Sequence, residues 1–286
     1  MTTFILFQSF INGLSLSGIY ILVALGLTLI MSIMGIVQMA HGEIYMIGSY
    51  SVYYFIVKLG FNFFPALILA TLFVGIIGII LERFCFRPFR EELERSLIVS
   101  VGLMIILQNL VLSIAGGTPK SYPRPFTSVL SIFNISISLE RLFIIGVGAF
   151  LLAGLYVFVQ KTKTGQAMLA ISQNNTAAAL QGINLNRISA IAMFVGCCLA
   201  AIAGGLVGAL FSLSPTMGSF ALIQGIAVIV LGGLGSISGA VVGGLIIGLI
   251  DGIMPVFTTA NIAGLIDSCV VIIILLFRPQ GIWGHE

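Results

Sequence analysis

Charged residues are scarce in this sequence, which has 12 Lys and Arg and nine Asp and Glu among 286 residues, or 7% of the chain. A water-soluble domain of this size carries charge on about a quarter of its residues, so the composition excludes that class. Hydrophobic residues make up 59% instead. We therefore expect the chain to lie in a membrane.

Several long stretches contain no Lys, Arg, Asp or Glu. Each is long enough to cross a hydrocarbon core of about 30 Å, which takes roughly 20 helical residues. The apolar runs are continuous and do not alternate, which favours helices over a closed barrel. These stretches are residues 1–42, 59–81, 96–119, 142–160 and 188–250.

The runs and their breaks predict an all-α integral membrane protein. We expect a polytopic helical bundle of about eight or nine membrane segments, with discontinuous helices, in a single transmembrane domain over residues 1–286. Within the long uncharged stretch, Pro215 and the cluster Gly232-Gly233-Leu-Gly235 predict breaks. Backbone unwound at membrane depth is tolerated only where it is buried in protein or lines a cavity, so the glycine break is expected beside a transport path.

The basic residues predict an orientation. Residues 83–95 hold four arginines, and 161–187 hold two lysines and an arginine. Two crossings separate these loops, so both can face the cytoplasm, as the bias of Lys and Arg toward cytoplasmic loops requires. The polar loop 119–141 is then external, and parity places the N-terminus outside.

Some functions lack their usual residues in this sequence. The chain has no Gly-x-x-x-x-Gly-Lys-Ser/Thr run, so an ATP-driven role needs a partner, and we expect no cofactor bound by the chain itself. The net charge of +3, without a basic stripe, argues against nucleic acid as a partner. The four cysteines are not spaced as metal ligands are, which favours a packing role over a metal site or a disulfide. They are Cys85, Cys197, Cys198 and Cys269.

Ionisable residues inside a bilayer are costly and need a reason. His41 and Glu43 could form an acid–base pair, but residues two apart on a helix point to different sides. A metal site would need further ligands, and the other histidine is His285 in the tail. We therefore expect no catalytic or metal residues. A structural or gating role is the first interpretation and contact with a transported solute the second. The residues predicted to line a translocation path are Asn12, Tyr20, His41, Glu43, Gln108, Asn109, Gln224, Gly232, Gly233 and Gly235.

Small residues recur every fourth position in three ladders. This spacing makes a smooth groove for another helix, so helix packing is the expected role. The ladders are Gly235, Gly239 and Gly243; Gly244, Gly248 and Gly252; and Ala200, Gly204 and Gly208.

Residues 161–187 are polar but alanine-rich, and membrane spanning does not explain them. Thr164 can cap a short helix, Asn175 or Thr176 can cap a second, and Gly182 can end it as a left-handed cap. Helices this short are marginal alone in water, so we expect them to dock on something. A solvated loop is the alternative.

Motifs along nearly the whole chain resemble one family. Thr176-Ala-Ala-x-x-x-Gly182 is similar to the loop by which ABC importer permeases grip their ATPase subunits. The whole set resembles the branched-chain amino acid ABC permease family, in particular its shorter, first-type subunit. The other matching pieces are His41-Gly42-Glu43, Tyr45-Met-Ile-Gly48-Ser-Tyr50, Thr164-Gly165-Gln-Ala167, Ala179-Leu-Gln-Gly182-Ile-Asn184, Val230-Leu-Gly-Gly-Leu-Gly-Ser-Ile-Ser-Gly239 and Arg278-Pro-Gln-Gly281-Ile.

The resemblance implies a permease subunit of an ABC importer in the bacterial inner membrane. Its partners would be a second, related permease subunit, two cytoplasmic ATPases that use the ATP, and an external binding protein that delivers leucine, isoleucine or valine. The residues it assigns to ATPase coupling are Thr164, Gly165, Ala167, Ala170, Thr176, Ala177, Ala178 and Gly182.

Three alternatives stay open. Members of the family also carry urea and short amides. A stand-alone secondary transporter would couple to ions through Glu43, Asp251 and Asp267. A membrane-embedded enzyme would use His41 and Glu43, although no substrate is evident for it.

Overall fold

The computed structural model describes residues 2–90, 92–126, 128–132 and 135–283. These residues form eleven α-helices and one two-stranded hairpin. The helices are α1 (Thr2–Met34), α2 (His41–Val57), α3 (Phe63–Leu81), α4 (Leu93–Ala115), α5 (Leu139–Lys161), α6 (Lys163–Gln173), α7 (Asn175–Leu180), α8 (Leu185–Leu210), α9 (Met217–Gly232), α10 (Ile237–Ile253) and α11 (Ala260–Phe277). The strands are β1 (Val129–Ile132) and β2 (Ile135–Ser138).

The helical membrane bundle predicted from the sequence is confirmed. Among the described residues, six helices are long and apolar enough to cross a membrane, namely α1, α3, α4, α5, α8 and α10. The apolar helices α9 and α11 are shorter. With α2, which the bundle encloses, these make nine segments, within the expected range. The chain is thus a multi-pass membrane protein.

Two sets of three helices share one packing pattern. α8 packs along α2 and α3, and α1 packs along α9 and α10. α2 also packs on α3 as α9 does on α10, while α1 meets α8 and α2 meets α9. The set α1–α2–α3 therefore makes the same contacts as the set α8–α9–α10, and the pairs α1–α8 and α2–α9 lie at the centre.

The glycine ladders pack helices, as expected. On the ladder that faces α1, a Cβ at Gly248 would collide with the backbone of Ser17, and one at Gly252 would collide with Gly13. A Cβ at Gly204 would collide with the carbonyl of Tyr45 in α2. The small residues therefore let helix backbones touch where the hydrophobic effect supplies no drive.

One end of the bundle, here called the basic end, carries both loops rich in arginine and lysine. Arg87 Nη2 donates to the carbonyl oxygen of Asn186 at 3.5 Å, which places the loop after α3 beside the start of α8. Eight of the twelve basic residues lie at this end, the last of them Arg278.

The opposite end, here called the hairpin end, holds the β-hairpin. β1 and β2 are antiparallel, with Val129 paired to Ser138. The sequence predicted only a polar loop here, so the hairpin is an addition to the all-α bundle. Gln8 of α1 and Ile137 of β2 line the same cavity, so α1 begins at this end. The N-terminal region and the loop 161–187 therefore lie at opposite ends, as the parity argument required.

The predicted breaks exist, but one lies elsewhere than expected. Residues 211–216 separate α8 from α9, at Pro215. α9 ends at Gly232, and Ser236 Oγ then caps α10 by accepting the Gly239 N–H at 3.0 Å. This second break lies at the basic end, where Ser32 near the end of α1 donates to the Gly235 carbonyl at 3.2 Å. The expectation of unwound backbone at membrane depth is therefore wrong for this break.

The C-terminal segment explains why α9 can stop there. The N–H groups of Ile282 and Trp283 donate to the carbonyls of Leu231 and Gly232, at 3.0 and 2.9 Å. The last carbonyl groups of a helix have no hydrogen-bond donor within the helix, and this segment supplies a donor to two of them.

Candidate functional site

Backbone at membrane depth is non-helical before α2. After α1 the chain turns at Gly35 (φ 69°) and runs back into the bundle as residues 35–40. Gln38 and Ala40 are fully buried, and the N–H groups of Met39 and Ala40 both donate to Ser100 Oγ of α4. Such backbone survives only under a cover of protein, which marks this segment as a candidate site.

The start of α9 meets the start of α2 inside the bundle. A Cβ at Gly42 would collide with the Gly218 carbonyl, and a Cβ at Gly218 would lie 2.7 Å from the Gly42 oxygen and 2.8 Å from Glu43 Oε2. Helix N-terminal ends carry partial positive charge. Two such ends and one carboxylate therefore converge at a point enclosed by protein.

Several polar side chains of α2, of the segment before it and of α1 are buried without partners. Gln38, His41 and Thr28 are fully buried and Glu43 is 1% exposed. Within the described residues, no hydrogen bond of good geometry reaches the Thr28 hydroxyl, the Gln38 amide, either His41 nitrogen or either Glu43 oxygen, although the His41 ring lies near the backbone of Val23. Each such group costs about 1–3 kcal/mol when buried unpaired. So costly a cluster favours a functional role over simple packing.

His41 and Glu43 face different helices, as their spacing predicted. A Cβ at Gly26 of α1 would lie 2.9 Å from His41 Nε2, whereas Glu43 faces Gly218 of α9. The two side chains therefore share no acid–base site. The absence of a side chain at Gly26 is what leaves room for the imidazole ring.

A second polar cluster joins four helices. Tyr20 Oη donates to Asp251 Oδ2 at 2.7 Å, and Gln224 Nε2 donates to the same oxygen at 2.9 Å. The Asp267 carboxylate, 3% exposed, lies near Asp251 and makes no hydrogen bond of good geometry with the described residues. The sequence identifies each of these residues as a polar residue in a membrane segment. Their contacts could not be predicted, because the residues are up to 247 positions apart.

Three other predicted path residues lie apart from both clusters. Asn12 is half-buried at the hairpin end, beside a cavity of about 270 Å³ that Arg124 and Glu140 also line. Asn109 is exposed on α4 and donates to the carbonyl of Ile105 on its own helix at 2.8 Å, and Gln108 is half-buried. The path role of these residues and of Gly232, Gly233 and Gly235 stays a prediction.

The loop 161–187 forms two short helices, with caps that differ from those predicted. Thr162 Oγ1 accepts the Gly165 N–H at 3.0 Å, so Thr162 caps α6 and the expected cap Thr164 is wrong. Asn174 Oδ1 accepts the Ala177 N–H at 2.9 Å and caps α7, in place of Asn175 or Thr176. α6 starts early because a single residue separates it from α5.

α6 is anchored firmly to the bundle. Gly165, Met168 and Ile171 are buried, and a Cβ at Gly165 would collide with the carbonyls of Phe158 and Val159 in α5. α6 also packs on α1 and α8. Thr164, Ala167 and Ala170 are half-buried.

The end of α7 has the predicted left-handed cap. Gly182 has φ 81°, its N–H donates to the Ala179 carbonyl at 2.9 Å, and the Ile183 N–H donates to the Ala178 carbonyl at 3.2 Å. This pair of bonds is a Schellman motif, which confirms the C-cap.

Most of α7 faces solvent. Ala178 is buried, whereas Thr176, Ala177 and Gly182 are exposed. Leu180 is 84% exposed, and it is a coupling candidate that was not predicted from the sequence. An apolar residue at a variable position of the Ala-Ala-x-x-x-Gly pattern is the signal that could have found it.

Comparison with known proteins identifies the family. The family described as "Branched-chain amino acid transport system / permease component" matches residues 9–277. The chain belongs to this permease family. It is similar to the high-affinity branched-chain amino acid transport system permease protein LivH of Escherichia coli (strain K12), with 32% identity over 97% of this chain and 95% of LivH. BraD of Pseudomonas aeruginosa, a permease protein of the same description, is 34% identical over 97% of this chain and 95% of BraD.

Two further proteins match at lower sequence identity. The ribose import permease protein RbsC of Haemophilus influenzae is 24% identical over 96% of this chain and 85% of RbsC. A chain of the solved structure "PsaBC from Streptococcus pneumoniae in complex with Fab" matches with a TM-score of 0.53 at 13% identity, over 94% of this chain and 91% of that chain. At that identity the likeness shows the fold alone.

Membership of this permease family agrees with what the polar clusters offer chemically. Within the residues that the structure describes, no group of three or more His, Cys, Asp and Glu side chains is placed to hold a metal ion. His285 lies outside those residues. What the permease does present is buried polar atoms between discontinuous helices, together with an exposed, rigidly anchored helix at one end.

Proposed function

We propose that the chain is the transmembrane permease subunit of an ABC importer for leucine, isoleucine and valine in the bacterial inner membrane. The match to the permease family over residues 9–277 carries this proposal. Residues 1–286 act as one transmembrane domain. The basic end faces the cytoplasm, because Lys and Arg are enriched in cytoplasmic loops.

The partners follow from the same proposal. An external binding protein delivers the amino acid at the hairpin end, a second permease subunit completes the membrane part, and two ATPases dock at the basic end. The chain itself is not an enzyme and binds no cofactor, since ATP is consumed by the ATPase subunits. Lipid surrounds the exposed apolar helix faces.

α7 is the surface that docks the ATPase. Its Thr176, Ala177 and Leu180 are exposed, and an 84% exposed leucine on a short helix is suited to fill an apolar cleft in another protein. α6 joins this surface rigidly to α5 through Gly165. A push on α7 therefore reaches α5 directly and α8 through the contacts of α6.

The solute passes beside the starts of α2 and α9. α8, which α6 contacts, also packs along α2, so movement at the basic end can shift the start of α2. The unpaired polar atoms of Gln38, His41 and Glu43 are then available to a zwitterionic solute or to water. Helix ends and unwound backbone near the bilayer midplane are used in this way by other transporters.

Docking is tested by replacing Leu180 with serine and measuring how much ATPase co-purifies with the full-length chain. Leu59, 62% exposed in the loop after α2, supplies the matched control Leu59→Ser. We expect Leu180→Ser to reduce recovery of the ATPase about tenfold or more, since hot-spot residues contribute about 2 kcal/mol. Equal recovery with the two variants would count against α7 as the docking surface.

Function is tested by uptake into proteoliposomes that contain the full complex. ATP should drive uptake of leucine without an ion gradient. Uptake that survives removal of the ATPase but collapses with the gradient would instead establish an ion-coupled transporter. Uptake of urea or acetamide in preference to leucine would overturn the substrate assignment while leaving the importer intact.

A further inference from the structure

A groove opens between α3 and α8 at the basic end. It has a volume of about 680 Å³ and is lined partly by polar and partly by apolar side chains. The part nearest the basic end is polar, with Arg87, Arg187 and two asparagines, and the part farther into the bundle is apolar. The apolar part is formed by Ile79, Ala190, Ile191 and Phe194.

The polar part and the apolar part of the groove follow one another along the membrane normal. Arg187 and Phe194 are seven residues apart on α8, which corresponds to about 10 Å along the helix. Ile79 and Arg87 are eight residues apart on α3 and on the helical turns Glu82–Phe89 that continue it. The groove therefore starts at the polar boundary of the membrane and descends into its hydrocarbon region, which matches the layout of a phospholipid.

The charge of the groove is positive. Glu82 is the carboxylate in reach of Arg87, at 2.7 Å, and it also pairs with Arg90 at 2.7 Å. Its single negative charge is therefore shared between two guanidinium groups. The exposed Arg187 forms no ion pair with any residue that the structure describes, and its side chain makes no hydrogen bond there. A net positive charge remains to be balanced by an anion.

We propose that this groove binds an anionic phospholipid of the cytoplasmic leaflet. The phosphate lies between Arg87 and Arg187, the amides of Asn184 and Asn186 are placed to bond its glycerol or headgroup oxygens, and one acyl chain follows the apolar wall. Basic pockets between membrane helices on the cytoplasmic side favour such headgroups, because anionic lipids are enriched there. An acyl chain that packs on Phe194 and Ile191 would cover these apolar side chains with hydrocarbon.

The bound lipid would also affect the loop 161–187. Arg187 is in the first turn of α8, and α8 follows α7 after four residues. A lipid that bridges α3 and the start of α8 would therefore restrict the movement of α7, which directly precedes α8. This idea goes beyond the proposed function, because it holds whether or not α7 docks an ATPase.

Native mass spectrometry of the full-length chain in detergent tests the proposal. Phosphatidylglycerol, phosphatidylcholine and inorganic phosphate are titrated separately against the wild type, Arg187→Gln, Ala190→Trp and the control Lys120→Gln, which removes one charge at the hairpin end. We expect phosphatidylglycerol to bind the wild type and Lys120→Gln equally, and Arg187→Gln about fivefold more weakly. Ala190→Trp should exclude the lipid by filling the groove.

Three results would overturn the proposal. The first is equal binding of phosphatidylglycerol and phosphatidylcholine to the wild type, and the second is unchanged phosphatidylglycerol binding in both groove variants. The third is binding of inorganic phosphate as strong as that of the lipid, because the apolar wall would then contribute nothing. A cooperative melting transition in each variant establishes that weaker binding does not reflect unfolding.

Discussion

Gly42 and Gly218 lie in contact, and each is the second residue of its helix, α2 and α9. The two helices belong to the two sets that share one packing pattern, so this contact lies where the sets meet. Neither helix could start inside the bundle if a side chain stood at either position. The pair therefore permits both discontinuous helices and the buried polar atoms beside them.

Gly42→Ala is expected to destabilise the protein. The added methyl group would collide with the Gly218 carbonyl and lie 2.9 Å from Leu222 Cβ. Overpacking of this kind costs about 1–3 kcal/mol. The matched control is Gly146→Ala in α5, where a Cβ meets nothing within 4 Å and the helix should gain about 0.5–1 kcal/mol. Thermal melting in detergent measures both, and a Gly42→Ala variant as stable as Gly146→Ala would refute the tight contact.

The sequence predicted the bundle well because its signals are local. Charge-free runs, the glycine ladders and the Gly182 cap each depend on neighbours in the chain, and the structure confirms them. The pairing of Tyr20 and Gln224 with Asp251 could not be predicted, since it depends on how α1, α9 and α10 meet. The burial of His41, Gly42 and Glu43 in the first turn of α2 likewise depends on how the bundle packs around that turn.

Glu82→Gln is expected to lower stability by about 2 kcal/mol. The buried Glu82 carboxylate accepts from Arg87 and Arg90, each at 2.7 Å. Loss of one partner from a buried pair costs about 3–5 kcal/mol, and we expect less here because the arginine side chains are 33% and 18% exposed.

The control for this ion pair is Glu92→Gln. Glu92 pairs with Arg95 at 2.7 Å, with side chains 49% and 63% exposed, and such surface pairs contribute below about 1 kcal/mol. The melting temperatures of the two variants measure both losses, and we expect Glu82→Gln to lower the melting temperature more. If Glu92→Gln proved the more damaging, burial would not make the Glu82 ion pairs the more stabilising ones.

Asp267→Asn and Asp251→Ala should move stability in opposite directions. Asp267 is buried without a good hydrogen bond and lies near a second carboxylate, so a neutral amide should relieve repulsion and raise the melting temperature. Asp251→Ala removes the acceptor for Tyr20 and Gln224, and two lost bonds to a charged group cost about 1.5–3 kcal/mol each.

Asp267→Asn also separates the importer from its ion-coupled rival. If uptake is driven by ATP, Asp267→Asn should retain it at close to the wild-type rate in proteoliposomes. Ion coupling through Asp267 would make that variant inactive whatever its stability.

Gly182 tests whether the α7 cap supports ATPase docking. At φ 81°, with nothing within 4 Å of a Cβ, a side chain at Gly182 would be strained by its backbone and not by its neighbours. Gly182→Leu should therefore cost about 1–2 kcal/mol at the cap, fray α7 and reduce ATPase co-purification, while the chain still inserts in the membrane. Gly182→Asn is the control, because asparagine tolerates the left-handed region best among residues with a side chain. Since the site is open, both side chains fit. The expected order of ATPase recovery is glycine, then asparagine, then leucine, and equal recovery for all three would show that docking does not depend on the cap.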